Sequence, residues 1–133
     1  LKRSIAFYEA IGATQNPQFS DENTMSMVVS DTIFVMLMNH KRFADFTPKA
    51  VPDAHSHAQM LLCLSEDSRD AVDATAGRAE AAGAVMDPTP VQDYGFMYGR
   101  SFEDPDGHIW ELCWMDVEAA MAAGQAAAEA QPA

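Results

Sequence analysis

The sequence predicts an α+β fold made of two βαβββ modules, the first lacking its opening strand. Three observations predict it. Leu1, Ile5, Tyr8 and Ile11 recur at helical spacing, and two alternating apolar runs follow them. From residue 57 onward the pattern reads strand, helix, strand, strand, strand. Finally, Phe102-Glu103-Asp104-Pro105-Asp106-Gly107-His108 is a tight turn that leads directly into the apolar run Ile109–Met115.

The elements follow in order. Residues 1–11 form an amphipathic helix, with Gly12 where a helix C-terminus favours glycine. Residues 13–23 are polar, contain Pro17 and read as loop or irregular edge. Met25–Val29 and Thr32–Met38 are strands joined across Ser30-Asp31, and 40–56, with Pro48 and Pro52, is a linker or lid. His57–Leu64 is the next strand. Ser68 can cap a helix that runs to about Ala82 and stops at Gly83, with Val72, Ala76, Ala79 and Ala82 as its apolar face. A short strand at 84–86, a bend at Pro88 and Pro90, and strands at 96–102 and 109–115 complete the second half. The first module spans 1–54 and the second 55–115 of a single domain. Residues 116–133 are an alanine-rich terminal helix or tail that Asp116 can cap.

Composition narrows the functions. The 133 residues suffice for one domain with a core, and 48% are hydrophobic. Twenty acids against eight bases give a net charge of −12, which argues against a nucleic-acid partner. No apolar run approaches the ~18 residues of a membrane span, so no membrane partner is expected. Cys63 and Cys113 make neither a disulfide framework nor a zinc cluster, which suits a reducing, cytoplasmic setting. No signal peptide is visible, and opening on Leu1 is what a fragment or trimmed chain would give.

The chemistry centres on Glu111, a carboxylate inside an apolar strand. Burying a lone charge is costly, so such an acid lines a cavity or ligates something. Strand alternation puts Ile109, Glu111, Cys113 and Met115 on one face and Trp110, Leu112 and Trp114 on the other. The bulky set suits packing against a helix, which turns Glu111 toward a cavity. There is no glycine-rich phosphate loop and no nucleophile elbow.

The paired modules, Arg3-Ser4-Ile5-Ala6-Phe7-Tyr8 and Glu103-Asp104-Pro105-Asp106-Gly107-His108-Ile109-Trp110-Glu111 together resemble the vicinal oxygen chelate superfamily of glyoxalases, bleomycin-resistance proteins and extradiol dioxygenases. The run Gln92–Phe102 is similar to an uncharacterised glyoxalase-like subgroup. The resemblance covers residues 1 to about 115. It implies curled mixed sheets, a homodimer, a small-molecule ligand and one divalent metal ion (Fe, Mn, Ni or Zn) or none.

It also implies site residues. Glu111 matches the superfamily's last-strand glutamate and is the expected catalytic residue and metal ligand. The superfamily's first-strand histidine falls on Gln59, with His57 on the same face as the alternative ligand. Val35, Met36 and Leu37 stand where the first module's carboxylate would be. By the same resemblance Gly99 and Ser101 face the ligand, and Gln59, Met36 and Cys113 join them as substrate contacts. Two functions stay open. One is a glyoxalase-like small-molecule-binding protein acting as a metal-dependent lyase or dioxygenase on vicinal oxygens. The other is a non-catalytic, metal-free binding protein of the bleomycin-resistance type. A dimeric scaffold with a decayed site is a third reading.

Overall fold

The computed structural model describes residues 1–131; Pro132 and Ala133, the end of the expected tail, lie outside the described residues. Helix α1 (Lys2–Ala10) leads into β1 (Thr14–Asn16), a 3-10 turn (Pro17–Phe19), β2 (Thr24–Ser30) and β3 (Ile33–Met38). A short α2 (His40–Phe43) opens the linker. The second half runs β4 (Leu62–Ser65), α3 (Arg69–Ala81), β5 (Val85–Met86), β6 (Gln92–Asp93), β7 (Met97–Glu103), β8 (Ile109–Met115) and α4 (Val117–Ala130).

The first sheet has the order β1-β2-β3, antiparallel throughout. The second has the order β4-β8-β7-β5, with β6 also on β7. Here β4 lies parallel along the outer edge of β8. The matching edge in the first sheet belongs to β3 and, among the described residues, carries no such strand, which is the βαβββ pattern without its opening strand. The fold is thus α+β, with two mixed or antiparallel sheets that do not close on themselves.

One core joins the halves. Phe7 and Tyr8 of α1, Met27 of β2, Val72, Ala76 and Ala79 of α3, and Phe102, Trp110 and Leu112 of the second sheet are buried together. Val35 and Leu37 pack on this core, so Phe34 and Met36 point the other way and stay exposed. Helix α3 starts as its sequence directs, with the Ser68 side chain accepting from the Ala71 N–H. Asp116 caps α4 through the Ala119 N–H, yet α4 buries no residue.

One local expectation is resolved and two need correction. The run 13–23 takes the irregular-edge alternative: Thr14–Asn16 pairs with β2 at the sheet edge, and the Asn16 side chain caps the 3-10 turn. Gln92–Asp93 forms an additional strand on β7. Most important, the strand expected at His57–Leu64 begins only at Leu62. Its parallel partner sets that limit. Leu62 pairs with Trp110, and β8 starts at Ile109. In that register residues 57–60 would lie opposite the 105–108 turn, which offers no ladder.

Candidate functional site

The turn before β8 organises the site. One Asp104 side-chain oxygen, Oδ1, accepts the N–H groups of Asp106 and His108 at 2.9 and 3.0 Å. The other, Oδ2, accepts the Tyr8 hydroxyl at 2.5 Å, and that hydroxyl accepts from Trp110 Nε1 at 2.9 Å. Ser4 Oγ donates to Asp106 Oδ2 at 2.6 Å, while the Arg3 guanidinium donates to the Pro105 carbonyl at 2.9 Å. The turn is therefore the receptor for helix α1. Burial and the adjacent Asp104 carboxylate push the Tyr8 phenol far above the usual tyrosine range.

Gly107 completes the turn at φ 94°. A Cβ there would sit 2.7 Å from the His55 backbone nitrogen and 2.8 Å from the Ala54 carbonyl carbon. The linker is thus seated on the turn at a point where only glycine fits.

This anchoring fixes the facing of β8. Trp110 and Leu112 are buried under the helices, and Glu111 and Cys113 take the opposite face. Glu111 lies beside Cys63 on β4 and Ser101 on β7. Cys113 lies beside Ser65 and Gly99. Cys63, Gly99, Ser101, Glu111 and Cys113 line a cavity of about 90 Å3, roofed by Thr89, Pro90 and Gln92. A larger open groove of about 600 Å3 between α1 and the 103–105 segment shares no lining residue with it.

The roof is a fixed strap. Ser101 Oγ accepts the Thr89 N–H and donates to the Thr89 carbonyl, both at 3.1 Å. At one end Asp87, with φ 51°, holds the Arg100 guanidinium at 2.6 Å. That contact outweighs burial and keeps the Asp87 carboxyl below the usual range. At the other end Arg69 grips Asp93 with two hydrogen bonds of 3.0 and 2.5 Å, and the Asp93 pKa is lowered to about 2. Arg69 also stacks 4.5 Å over the Tyr98 ring.

Glu111 has no ion-pair partner among the described residues. The single cationic residue around the cavity, Arg100, is engaged by Asp87 and Asp73. Burial raises the Cys63 thiol pKa, and the neighbouring Cys113 and Glu111 raise it further. Burial and Glu111 do the same to Cys113.

Of the residues expected from sequence, Glu111, Gly99, Ser101 and Cys113 meet at this cavity. The Ser101 hydroxyl is occupied by the strap. Gln59 and His57 are exposed and precede β4, so neither shares the Glu111 face as a strand residue. His57 Nδ1 instead lies 2.8 Å from Ser56 Oγ. Met36 stands 44% exposed on the other sheet and does not line the cavity. Among the described residues no three His, Cys, Asp or Glu side chains converge as a metal set would. Glu111, with His57 and Gln59 outside the cavity lining, is not the set of about three ligands that Fe, Mn, Ni or Zn requires. The site therefore does not fit a divalent metal within one chain.

The profile of the Glyoxalase/Bleomycin resistance protein/Dioxygenase superfamily matches residues 1–112. The chain belongs to this superfamily. Solved structures of similar fold include hypothetical protein SA1046 from S. aureus, with TM-score 0.71 and 23% identity over 86% of this chain and 84% of that one. A glyoxalase/bleomycin resistance protein/dioxygenase family enzyme from Burkholderia phytofirmans gives TM-score 0.68 and 20% identity over 86% and 89% of the two chains. The fosfomycin resistance protein FosX from Mesorhizobium loti gives 0.64 and 17% over 90% and 86%. No curated protein matches the sequence. These likenesses establish the glyoxalase-superfamily fold and leave the reaction to the site. No described helix is long and apolar enough to cross a membrane.

Sequence reasoning missed two features of this superfamily member. One is the role of Arg3, Ser4 and Tyr8 in gripping the 104–106 turn. The other is the strap, whose signal was present in Pro88, Pro90 and the charge pair Arg69 and Asp93.

Proposed function

We propose that this chain binds a small molecule on the Glu111 face of its second sheet and receives a cationic group of that ligand on the Glu111 carboxylate. The observation that carries the reading is the unpaired carboxylate at a cavity whose one nearby cation is already engaged. The net charge of −12 adds a long-range pull on cationic ligands. This is a metal-free binder of the bleomycin-resistance type.

The cavity of about 90 Å3 is smaller than the roughly 300–1,000 Å3 of typical ligand sites. Phe34 and Met36 present an apolar face on the first sheet. A homodimer that sets this face over the Glu111 face of a second copy would enlarge the site and bring Met36 to the ligand. Superfamily membership supports a second reading, a metal-dependent lyase or dioxygenase. In that reading Glu111 is one ligand and the others come from outside this chain.

The test is calorimetric titration of the protein with tetraphenylphosphonium, an aromatic cation. We expect micromolar-range binding that weakens as salt rises and is lost in Glu111→Gln. Equal binding by Glu111→Gln would overturn the reading. Uptake of one Mn, Fe, Ni or Zn ion per chain, abolished by the same variant, would establish the second.

A further inference from the structure

The cavity beside Glu111 stands where a side chain of residue 99 would be. Gly99 lies inside β7, with Gln92 of β6 opposite it on one side and Cys113 of β8 on the other. Met97 and Ser101, two residues away along β7, share its face. All four of these neighbours line the cavity, and so does Gly99 itself. Glu111 pairs with Ser101 and so stands diagonal to Gly99, a separation of about 7–8 Å that a long side chain still bridges.

Nothing in the fold calls for glycine at this point. The Gly99 backbone is outside the left-handed region that Gly95 and Gly107 occupy. The β7–β8 register runs unbroken through it, so it marks no bulge. A Cβ there would meet nothing nearer than the Leu112 carbonyl oxygen at 3.6 Å and the Met97 terminal methyl at 3.8 Å, both ordinary contacts. Glycine inside a strand costs stability, because it loses more backbone freedom on folding and has no side chain to pack. With turn, bulge and close backbone set aside, what remains is the close approach of a ligand.

We propose that Gly99 is the specificity-determining residue of this site, and that the group it admits is a compact methylated ammonium head of the trimethylammonium class. This rests on the ligand reading above and names the part of the ligand that enters the cavity. About 90 Å3 takes a group of side-chain size, whereas a drug-sized molecule needs roughly 300–1,000 Å3. Arg100 is engaged by Asp87 and Asp73, so among the described residues Glu111 is the lining charge left to meet a cation. The walls beside it are Cys63, Cys113 and Met97, whose sulfurs are polarisable and hydrogen-bond weakly. The Ser101 hydroxyl is occupied by Thr89 as donor and as acceptor. Such walls suit methyl groups. A primary ammonium would trade full hydration for fewer acceptors.

The experiment follows the backbone amide signals of the full chain by NMR as tetramethylammonium is added. We expect binding on the order of millimolar, with the largest shifts at Gly99, Ser101 and Glu111. Methylammonium and tetraethylammonium should each bind about 10-fold more weakly or worse. Gly99→Ala should weaken tetramethylammonium binding about 10-fold or more while melting about 1–5 °C higher. Gly77→Ala, exposed on α3 with open space around it, is the control: it should also raise the melt but leave binding unchanged. Tetraphenylphosphonium is too broad to enter the cavity, so it reports the Glu111 charge and should bind Gly99→Ala as it binds the unsubstituted protein. Equal tetramethylammonium binding by Gly99→Ala, a preference for methylammonium, or a lower melt in Gly99→Ala would overturn the proposal. Tetraphenylphosphonium binding without tetramethylammonium binding would overturn it and keep the reading of Glu111 as a cation receiver. Absence of both would remove that reading as well.

Discussion

The Tyr8 hydroxyl donates to Asp104 across 96 residues of sequence, at 2.5 Å. It also accepts from Trp110, so one buried oxygen joins helix α1, the turn and strand β8. Tyr8→Phe would leave Asp104 Oδ2 and Trp110 Nε1 buried without this partner. We expect a loss of about 1–3 kcal/mol, read as a lower urea midpoint at unchanged slope. Stability equal to that of the unsubstituted protein would show that water replaces the hydroxyl.

Alkali should act through the same residue. The folded phenol has a raised pKa, so its contribution is fully present below the unfolded value of about 10 and is lost as pH climbs above it. Urea midpoints measured from pH 8 to 11 should fall above about pH 10, and Tyr8→Phe should flatten that fall. On the acid side Asp87 and Asp93 have lowered pKa values. Their contribution is present above the ordinary carboxylate range and disappears as pH drops through their folded values. Asp87→Asn should make the acid limb shallower.

Gly107→Ala should be more damaging than an ordinary surface change. The new Cβ meets the His55 and Ala54 backbone at 2.7–2.8 Å, in a conformation with φ 94°. Backbone strain of this kind alone costs about 1–3 kcal/mol, and displacing the linker adds to it. Thermal melting checks the total. Faster amide exchange across residues 53–57 would locate the damage.

Ser101→Ala tests the strap. It removes both hydrogen bonds to Thr89, each worth about 0.5–1.5 kcal/mol. Exchange of the Thr89 amide should accelerate while that of Leu112, in the core, stays slow. Uniform acceleration would mean that the strap and the sheet open together.

The facing of β8 was legible because strict alternation separates Trp110, Leu112 and Trp114 from Glu111 and Cys113. The caps at Ser68 and Asp116 were legible because a side-chain oxygen meets a free N–H only a few residues away. The strand start was not. His57–Leu61 continues toward β4 in the sequence, but only the parallel register against Trp110 shows that nothing stands opposite it. The short strands at Thr14–Asn16 and Gln92–Asp93 are polar and lack alternation, so pairing alone defines them. The site was half legible for the same reason: residues on paired strands could be assigned a face, whereas His57 and Gln59 lie outside any ladder and Met36 stands on the other sheet.

The grip of the 104–106 turn on α1 also bears on how the chain folds during synthesis. The helix leaves the ribosome about a hundred residues before its receptor. A nine-residue helix is marginal by itself in water. It must wait, with Phe7 and Tyr8 uncovered, until the 104–106 turn has emerged. Helix α1 is therefore secured only once β8 and its turn are made, and the two halves described here cannot mature one after the other.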